Sequence, residues 1–251
     1  MVAGGVTWGD RLAVAIGLAA LFLIWQGGTM LFAVPDYILP RPLDIAAAIV
    51  ERRDPITQAL IVTGTETIAG FLIGAAVGVG LAVCLVLVPP LEPLLMPLAV
   101  AINAVPSVAF VPLALIWFGL GMGSKIAMAV LAVGFIVLLN ALSGLKKPEQ
   151  GHIDLMRSFG AGRIGILWRL RLPAAMPSIA TGLRVGLGRS TIAVIVAEML
   201  GAYDGIGQIV YQSTAQVDYL NVWAAVLAAM LGSLALYGCL VAIDRKLIWW
   251  R

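Results

Sequence analysis

Six stretches of this chain are each long and apolar enough to cross a lipid bilayer. They cover residues 12–32, 65–88, 94–118, 126–145, 180–200 and 222–243. A helix needs about 20 such residues to span the hydrocarbon. Inside lipid every backbone polar group must find its partner within the structure, so a run of that length folds as a helix. The expectation is an all-α polytopic membrane protein with six transmembrane helices, residues 1–251 forming a single transmembrane domain. Composition points the same way. Only 12% of residues are charged and mean hydropathy is +1.03, whereas soluble domains carry roughly 25% charged residues. The 28 glycines suit membrane helices, which pack through small residues. The first run reads as a retained span: it is longer than the apolar core of a signal peptide, and no A-x-A cleavage pattern accompanies it. Cys84 and Cys239 fall in apolar runs, match no metal-ligand spacing, and read as packing residues.

The basic residues are unevenly shared between the two sides. With six spans, one side holds Arg11, the eight Lys and Arg from Lys146 to Arg189, and Arg245, Lys246 and Arg251. The other holds Arg41, Arg52, Arg53 and Lys125. The positive-inside rule then places both termini in the cytoplasm. The connection 146–179 is cytoplasmic on this reading. Its length exceeds what topological anchoring needs, and long loops in compact proteins usually serve a function.

That connection carries the stretch SFGAGRIGILWRLRLPAAMP, residues 158–177. Pro148 stops the preceding helix. Ile153, Leu155, Met156 and Phe159 recur at three- and four-residue spacing, which predicts a short amphipathic helix over 152–159. Gly160 is placed to end it. A second short helix is expected over 163–170, with Arg163 and Arg169 among Ile164, Ile166, Leu167 and Trp168, broken by Leu172-Pro173; Pro177 marks the entry to the fifth span. Two readings follow from the residues alone. One is an interfacial hairpin that snorkels its arginines to lipid headgroups. The other is a docking element for a cytoplasmic partner.

The spacing resembles that of a known family, the membrane permeases of bacterial binding-protein-dependent ABC importers. Their cytoplasmic signature is E-A-A, three residues, G, nine residues, I, one residue, L-P. Here Asp154, Leu155 and Met156 take the first three positions, Gly160 the glycine, Leu170 the isoleucine, and Leu172-Pro173 the final pair. LPRPLDI (39–45), VPSVAFVPLALIWFGLG (105–121) and GLRVGLGRSTIAVIVAEMLGAYDGIG (182–207) are similar to segments of the nitrate/sulfonate/taurine branch. The resemblance implies a type I ABC importer (MetI-like) permease fold and a chain that does no chemistry itself. It would form the translocation pathway for a small polar or anionic solute. Its implied partners are a second copy in a homodimer, two cytoplasmic ATP-binding subunits that hold ATP-Mg, a periplasmic or lipid-anchored substrate-binding protein, and membrane lipid, with no nucleic acid. No cofactor is expected on this chain, and neither catalytic nor metal residues. Asp154, Leu155, Ser158, Phe159, Gly160, Ala161 and Arg163 would form the ATPase-coupling surface, with Leu172 and Pro173 holding its frame.

Residues within the spans extend this picture. Gly70, Gly74 and Gly78 form a smooth face, either for internal packing or for a dimer seam. Asn103, Pro106 and Ser107 in the proline-rich third span are pathway candidates, since prolines free backbone carbonyls that are tolerable beside a cavity; plain kinked packing is the alternative. Ionisable residues in spans are expensive, so Arg184, Arg189 and Glu198 join the candidates, with ion pairing or snorkelling as the alternative. Glu66 reads as an interfacial residue. Lone His152 reads as a solvated neighbour of the coupling segment. Tyr203, Asp204, Gln208, Gln212 and Asp218 make a polar outer loop that would face a binding protein or simply be solvated, and Trp249 and Trp250 suggest an interfacial aromatic belt. GLGMGSK (119–125) lacks the spacing of a phosphate loop. A secondary transporter would show repeated halves and paired intramembrane charges; a membrane enzyme would need a nucleophile or metal cluster. Neither is evident.

Overall fold

A computed structural model describes residues 8–247. Trp249 and Trp250 lie outside the described residues. Eleven helices are described: α1 (Trp8–Leu31), α2 (Pro42–Glu51), α3 (Arg53–Leu87), α4 (Glu92–Ala104), α5 (Val111–Phe118), α6 (Met122–Lys146), α7 (Gln150–Ser158), α8 (Arg163–Ile166), α9 (Leu172–Gly201), α10 (Ile206–Ala215) and α11 (Tyr219–Leu247). Five are long and apolar enough to cross a membrane: α1, α3, α6, α9 together with the turn before it, and α11. A sixth crossing is built from α4 and α5, which meet at 92°.

The core is a three-helix bundle of α3, α6 and α9. Small residues bring the helices together. A side-chain carbon added at Gly74 would lie 2.8 Å from Val133 Cβ, and one at Gly78 would lie 2.6 Å from the carbonyl oxygen of Gly134. Gly70, Gly74 and Gly78 therefore serve internal packing against α6. Gly182 fits the α6–α9 contact in the same way, against Asn140. Small residues of this kind let membrane helices pack backbone to backbone.

The bundle has two distinct ends. Lys146 pairs with Glu92 at one, beside Lys147 and the turns that carry Arg163, Arg169 and Arg171. We call this the basic end. Lys125 and Gly201 meet at the other, the far end. Since α4 starts beside Lys146 and the segment after α5 ends beside Lys125, the bent pair α4–α5 crosses from one end to the other. Pro106 and Pro112 explain the break: neither can donate the backbone hydrogen bond a continuous helix requires. A 3-10 turn, Ser107–Phe110, fills the gap.

Other departures from the sequence-based expectations have similar local causes. Helix α3 begins at Arg53, twelve residues before the expected span, because its first three turns pack under α2, α10 and α11 through Ile56 and Ala59. Leu172-Pro173 does not break the chain. A π turn at Leu167–Arg171 runs directly into α9, and the helical path from Arg163 to Gly201 is continuous over 39 residues. Pro173 sits in the first turn of the resumed α-helix, where its missing N–H is tolerated. Cys84 and Cys239 are exposed on the outside of the bundle and pack no core. Helix α1 stands apart from the bundle, held near its end by Trp25, which donates to the Pro40 carbonyl at 3.2 Å and meets Trp223 edge-on.

Candidate functional site

At the basic end α7 projects from the bundle. Only Ile153 on it is buried, at 4% exposure, while Leu155 and Phe159 are exposed at 56% and 82%. Asp154 and Ser158 share the exposed surface. Asp154 accepts from Gln150 at 3.0 Å and from Arg157 at 3.1 Å, which holds its carboxylate against the helix. Gly160 ends α7 with φ of +80°. Its N–H donates to Arg157 O at 2.8 Å, and Ala161 N–H donates to Met156 O at 3.0 Å. This double closure is the Schellman arrangement, which favours glycine at the left-handed position. Ala161 and Gly162 lead into α8 and the π turn after it, where Ile164 and Trp168 add exposed apolar surface and Arg163 is exposed. Leu172 is half-buried and packs on the core, and Pro173 is exposed. All the expected coupling residues thus lie on one projecting segment and its root.

The far end holds a cluster that the sequence reading did not assemble. Glu66 is 3% exposed, Lys125 1% and Glu198 1%. They come from α3, α6 and α9. Glu198 accepts from Thr63 Oγ1 at 2.7 Å and from the backbone N–H of Gly207 at 2.7 Å. Thr63 in turn accepts from Ile206 N–H at 2.9 Å. The Glu198 carboxylate therefore sits at the first turn of α10, where unpaired N–H groups favour an anion. Lys125 Nζ donates to the carbonyls of Leu120, Gly121 (3.2 Å) and Gly201 (2.5 Å). It closes the C-terminal end of α9, where a cation is favoured. The Glu66 carboxyl lies beside that of Glu198, and one of its oxygens has no hydrogen-bond partner among the described residues. Gly205, with φ of +109°, and Gly207 admit this geometry: an added side-chain carbon would lie 2.2 Å from Glu198 Oε1 and 2.2 Å from Ile195 O respectively.

Glu66 is thus buried inside the protein, a correction to its interfacial reading. Lys125 is likewise no loop charge. A signal was present: Glu66, Gly70, Gly74 and Gly78 recur every four residues, so Glu66 lies on the face that packs against α6.

The remaining candidates separate by environment. Arg184 pairs with Asp244 of α11, which is 9% exposed, so its charge is spent bracing α9 against α11. Arg189 is exposed and makes no hydrogen bond or ion pair among the described residues. Asn103 and Pro106 are exposed and Ser107 is half-buried, at the elbow between α4 and α5. Outside the spans, Arg52 donates to Asp218 at 2.6 Å and ties the start of α3 to the start of α11. That hydrogen bond holds the Asp218 carboxyl below the ordinary aspartate value. Tyr203, Asp204 and Gln212 are exposed at this end, and Gln208 is half-buried.

Comparison with known proteins gives a consistent result. Residues 70–249 match the family described as binding-protein-dependent transport system inner membrane component. A probable ABC transporter permease protein of Haemophilus influenzae is 32% identical, with 92% of this chain and 95% of that protein covered. The taurine transport system permease protein of Escherichia coli is 31% identical, covering 96% and 90%. The formylaminopyrimidine transport permease protein of Halalkalibacterium halodurans is 30% identical, covering 92% of each. Among solved structures, an inward-facing MetNI methionine ABC transporter shares the fold, with a TM-score of 0.59 at 22% identity, over 76% of this chain and 94% of that one.

Proposed function

This chain belongs to the binding-protein-dependent transport system inner membrane components, the membrane-spanning permeases of ABC importers, and from that premise we propose how its parts divide the work. The family works with ATPase and substrate-binding partners. In our reading two copies of this chain pair in the membrane, each docked on one cytoplasmic ATP-binding subunit that carries ATP-Mg. The basic end faces the cytoplasm, as do both termini, and the far end receives solute from a periplasmic or lipid-anchored binding protein.

The observation that carries this reading is the projection of α7. A nine-residue helix held by one buried side chain, and ended by a left-handed glycine, contributes little to the permease's own core. Leu155 and Phe159 are exposed one turn apart at its end, and Ile164 and Trp168 are exposed on the segment that follows, beside exposed Asp154 and Arg163. Such a surface suits insertion into a cleft of a partner. Asp154, Leu155, Ser158, Phe159, Gly160, Ala161 and Arg163 are the proposed contact residues, and Leu172 and Pro173 set the root of the segment.

The pathway is proposed to run past the elbow at Asn103, Pro106 and Ser107 and the exposed face of α9 that carries Arg189. Arg184 and Glu198 act beside it as braces. The transported solute is a small polar or anionic molecule, in keeping with relatives named for taurine and formylaminopyrimidine transport.

Tagged purification in mild detergent from the native host tests the coupling assignment. A stoichiometric ATP-binding subunit is expected with the wild-type chain. Gly160→Val should release it while the chain still inserts, because a β-branched residue cannot hold φ of +80°. Retention of the ATPase and of solute-stimulated ATP hydrolysis by this variant would overturn the assignment. Transport by the purified chain alone, without ATP, would establish a secondary carrier instead.

A further inference from the structure

We propose that Arg189 is the charge-selecting residue of the translocation pathway, forming with the α4–α5 elbow a site for an anionic group of the solute. This deepens the permease reading and rests on it.

Depth is the first argument. Arg189 lies twelve residues before Gly201 and seventeen after Leu172. At 1.5 Å per residue it stands about 18 Å below the far end of α9 and about 26 Å above its start. That is the middle of the membrane, where a charged side chain facing hydrocarbon is costly. Yet Arg189 is exposed, and it shares its face with exposed Thr181, Val185 and Ile192. Lipid is therefore the wrong neighbour for this face. Water in a cavity is the right one.

The second argument is charge. Arg184, five residues earlier, is neutralised by Asp244. The far-end carboxylates of Glu66 and Glu198 lie in a separate buried cluster with Lys125. The acidic residues of the elements around Arg189 are thus already engaged, and Arg189 has no ion-pair partner among the described residues. A guanidinium without a counter-charge in a water-filled cleft between low-dielectric walls attracts an anion. Its planar donor fork suits a carboxylate, sulfonate or similar oxyanion.

The third argument is what faces it. Val111 and Ala114 of α5 pack on Ala193 and Ala197 of α9. Stepping back one turn on both elements brings Ser107 level with Arg189, and the Ser107–Phe110 turn does pack on α9. Asn103 lies in the last turn of α4, at the same elbow. Neither Asn103 nor Ser107 has a side-chain hydrogen bond to protein among the described residues. Arg189 and the Ser107 turn thus lie level where that turn packs on α9, Asn103 is four residues before Ser107, and none of the three side chains has a hydrogen-bond partner among the described residues. Together they supply the donors that replace water around an oxyanion.

The test uses the complete complex with its ATPase, reconstituted in nucleotide-free vesicles, with Cys84 and Cys239 replaced by serine. Val185→Cys places a thiol one turn from Arg189 on the same face. Its reaction rates with a sulfonate-bearing and a trimethylammonium-bearing methanethiosulfonate are measured, each normalised to a free thiol. The anionic reagent should be favoured by roughly tenfold, as expected for a unit charge within a turn at intermediate dielectric. Arg189→Gln should abolish that preference and Arg189→Lys should keep it. No reaction with either reagent, or a preference unchanged by Arg189→Gln, would overturn the proposal. Failure of the permease reading itself would show separately, as absence of a co-purifying ATPase.

Discussion

Lys125 holds the far end together one carbonyl at a time. Three backbone oxygens from two connections accept from its ammonium, those of Leu120, Gly121 and Gly201. Lys125→Met keeps the bulk and removes the donors. Breaking a buried charge network from one side costs about 3–5 kcal/mol, so the variant should lose a corresponding margin of thermal stability in detergent. Arg52 and Asp218 make a weaker tie. Both are partly exposed, and such pairs contribute at most about 1 kcal/mol. Because the folded Asp218 has its pKa depressed, its contribution is complete above the ordinary aspartate value near 4 and is lost as pH falls through the folded value. The stability difference between wild type and Asp218→Asn, followed from pH 7 downwards, should shrink towards zero in acid. At this scale the sequence was readable where a residue had one role. Gly160 announced itself by its position after an amphipathic turn. Glu66 and Lys125 did not, because hydropathy sees a charged residue at the end of an apolar run and cannot see which neighbours will close over it.

At the scale of elements, the seam between α3 and α6 is the most demanding contact in the bundle. An added side chain at Gly74 would meet Val133 Cβ at 2.8 Å and the backbone of Val130 at 3.1 Å. Gly74→Leu should push the two helices apart at a cost of roughly 3 kcal/mol, the upper end of the usual overpacking range, because backbone cannot yield. Reduced yield of folded protein in size-exclusion chromatography would show it. Gly80, six residues on with open space around it, is the control: Gly80→Leu should be tolerated. The apolar runs made the number of crossings legible, since length and composition alone mark them. The shapes of the crossings were not legible. Pro97, Pro106 and Pro112 allowed kinking without stating that the bend would reach 92°. Leu172-Pro173 read as a stop, but a π turn just before it lets the helix continue. The early start of α3 was hidden by Arg53 and Asp54, whose charges end a hydropathy run although the helix beneath them goes on.

For the whole molecule, the placement of the two ends on opposite sides of the membrane is the claim with the widest consequences. Cysteines introduced at Gly151 and at Asp204, both exposed, should react with membrane-impermeant reagents from opposite faces. Labelling of both from one face would overturn the six-crossing arrangement and with it the cytoplasmic assignment of α7. The helical path from Arg163 to Gly201 connects those ends in a single piece. Its weak points, the π turn, Pro173 and Pro177, are all gathered near the basic end. Beyond Pro177 nothing interrupts the hydrogen-bond ladder until Gly201, where Lys125 and Glu198 grip the terminus. Mechanically this is a stiff lever with its flexure at the handle. A push on α8 would be taken up as a change of angle at the root, while the arm beyond Pro177, packed against α3 and α6, would move only together with them.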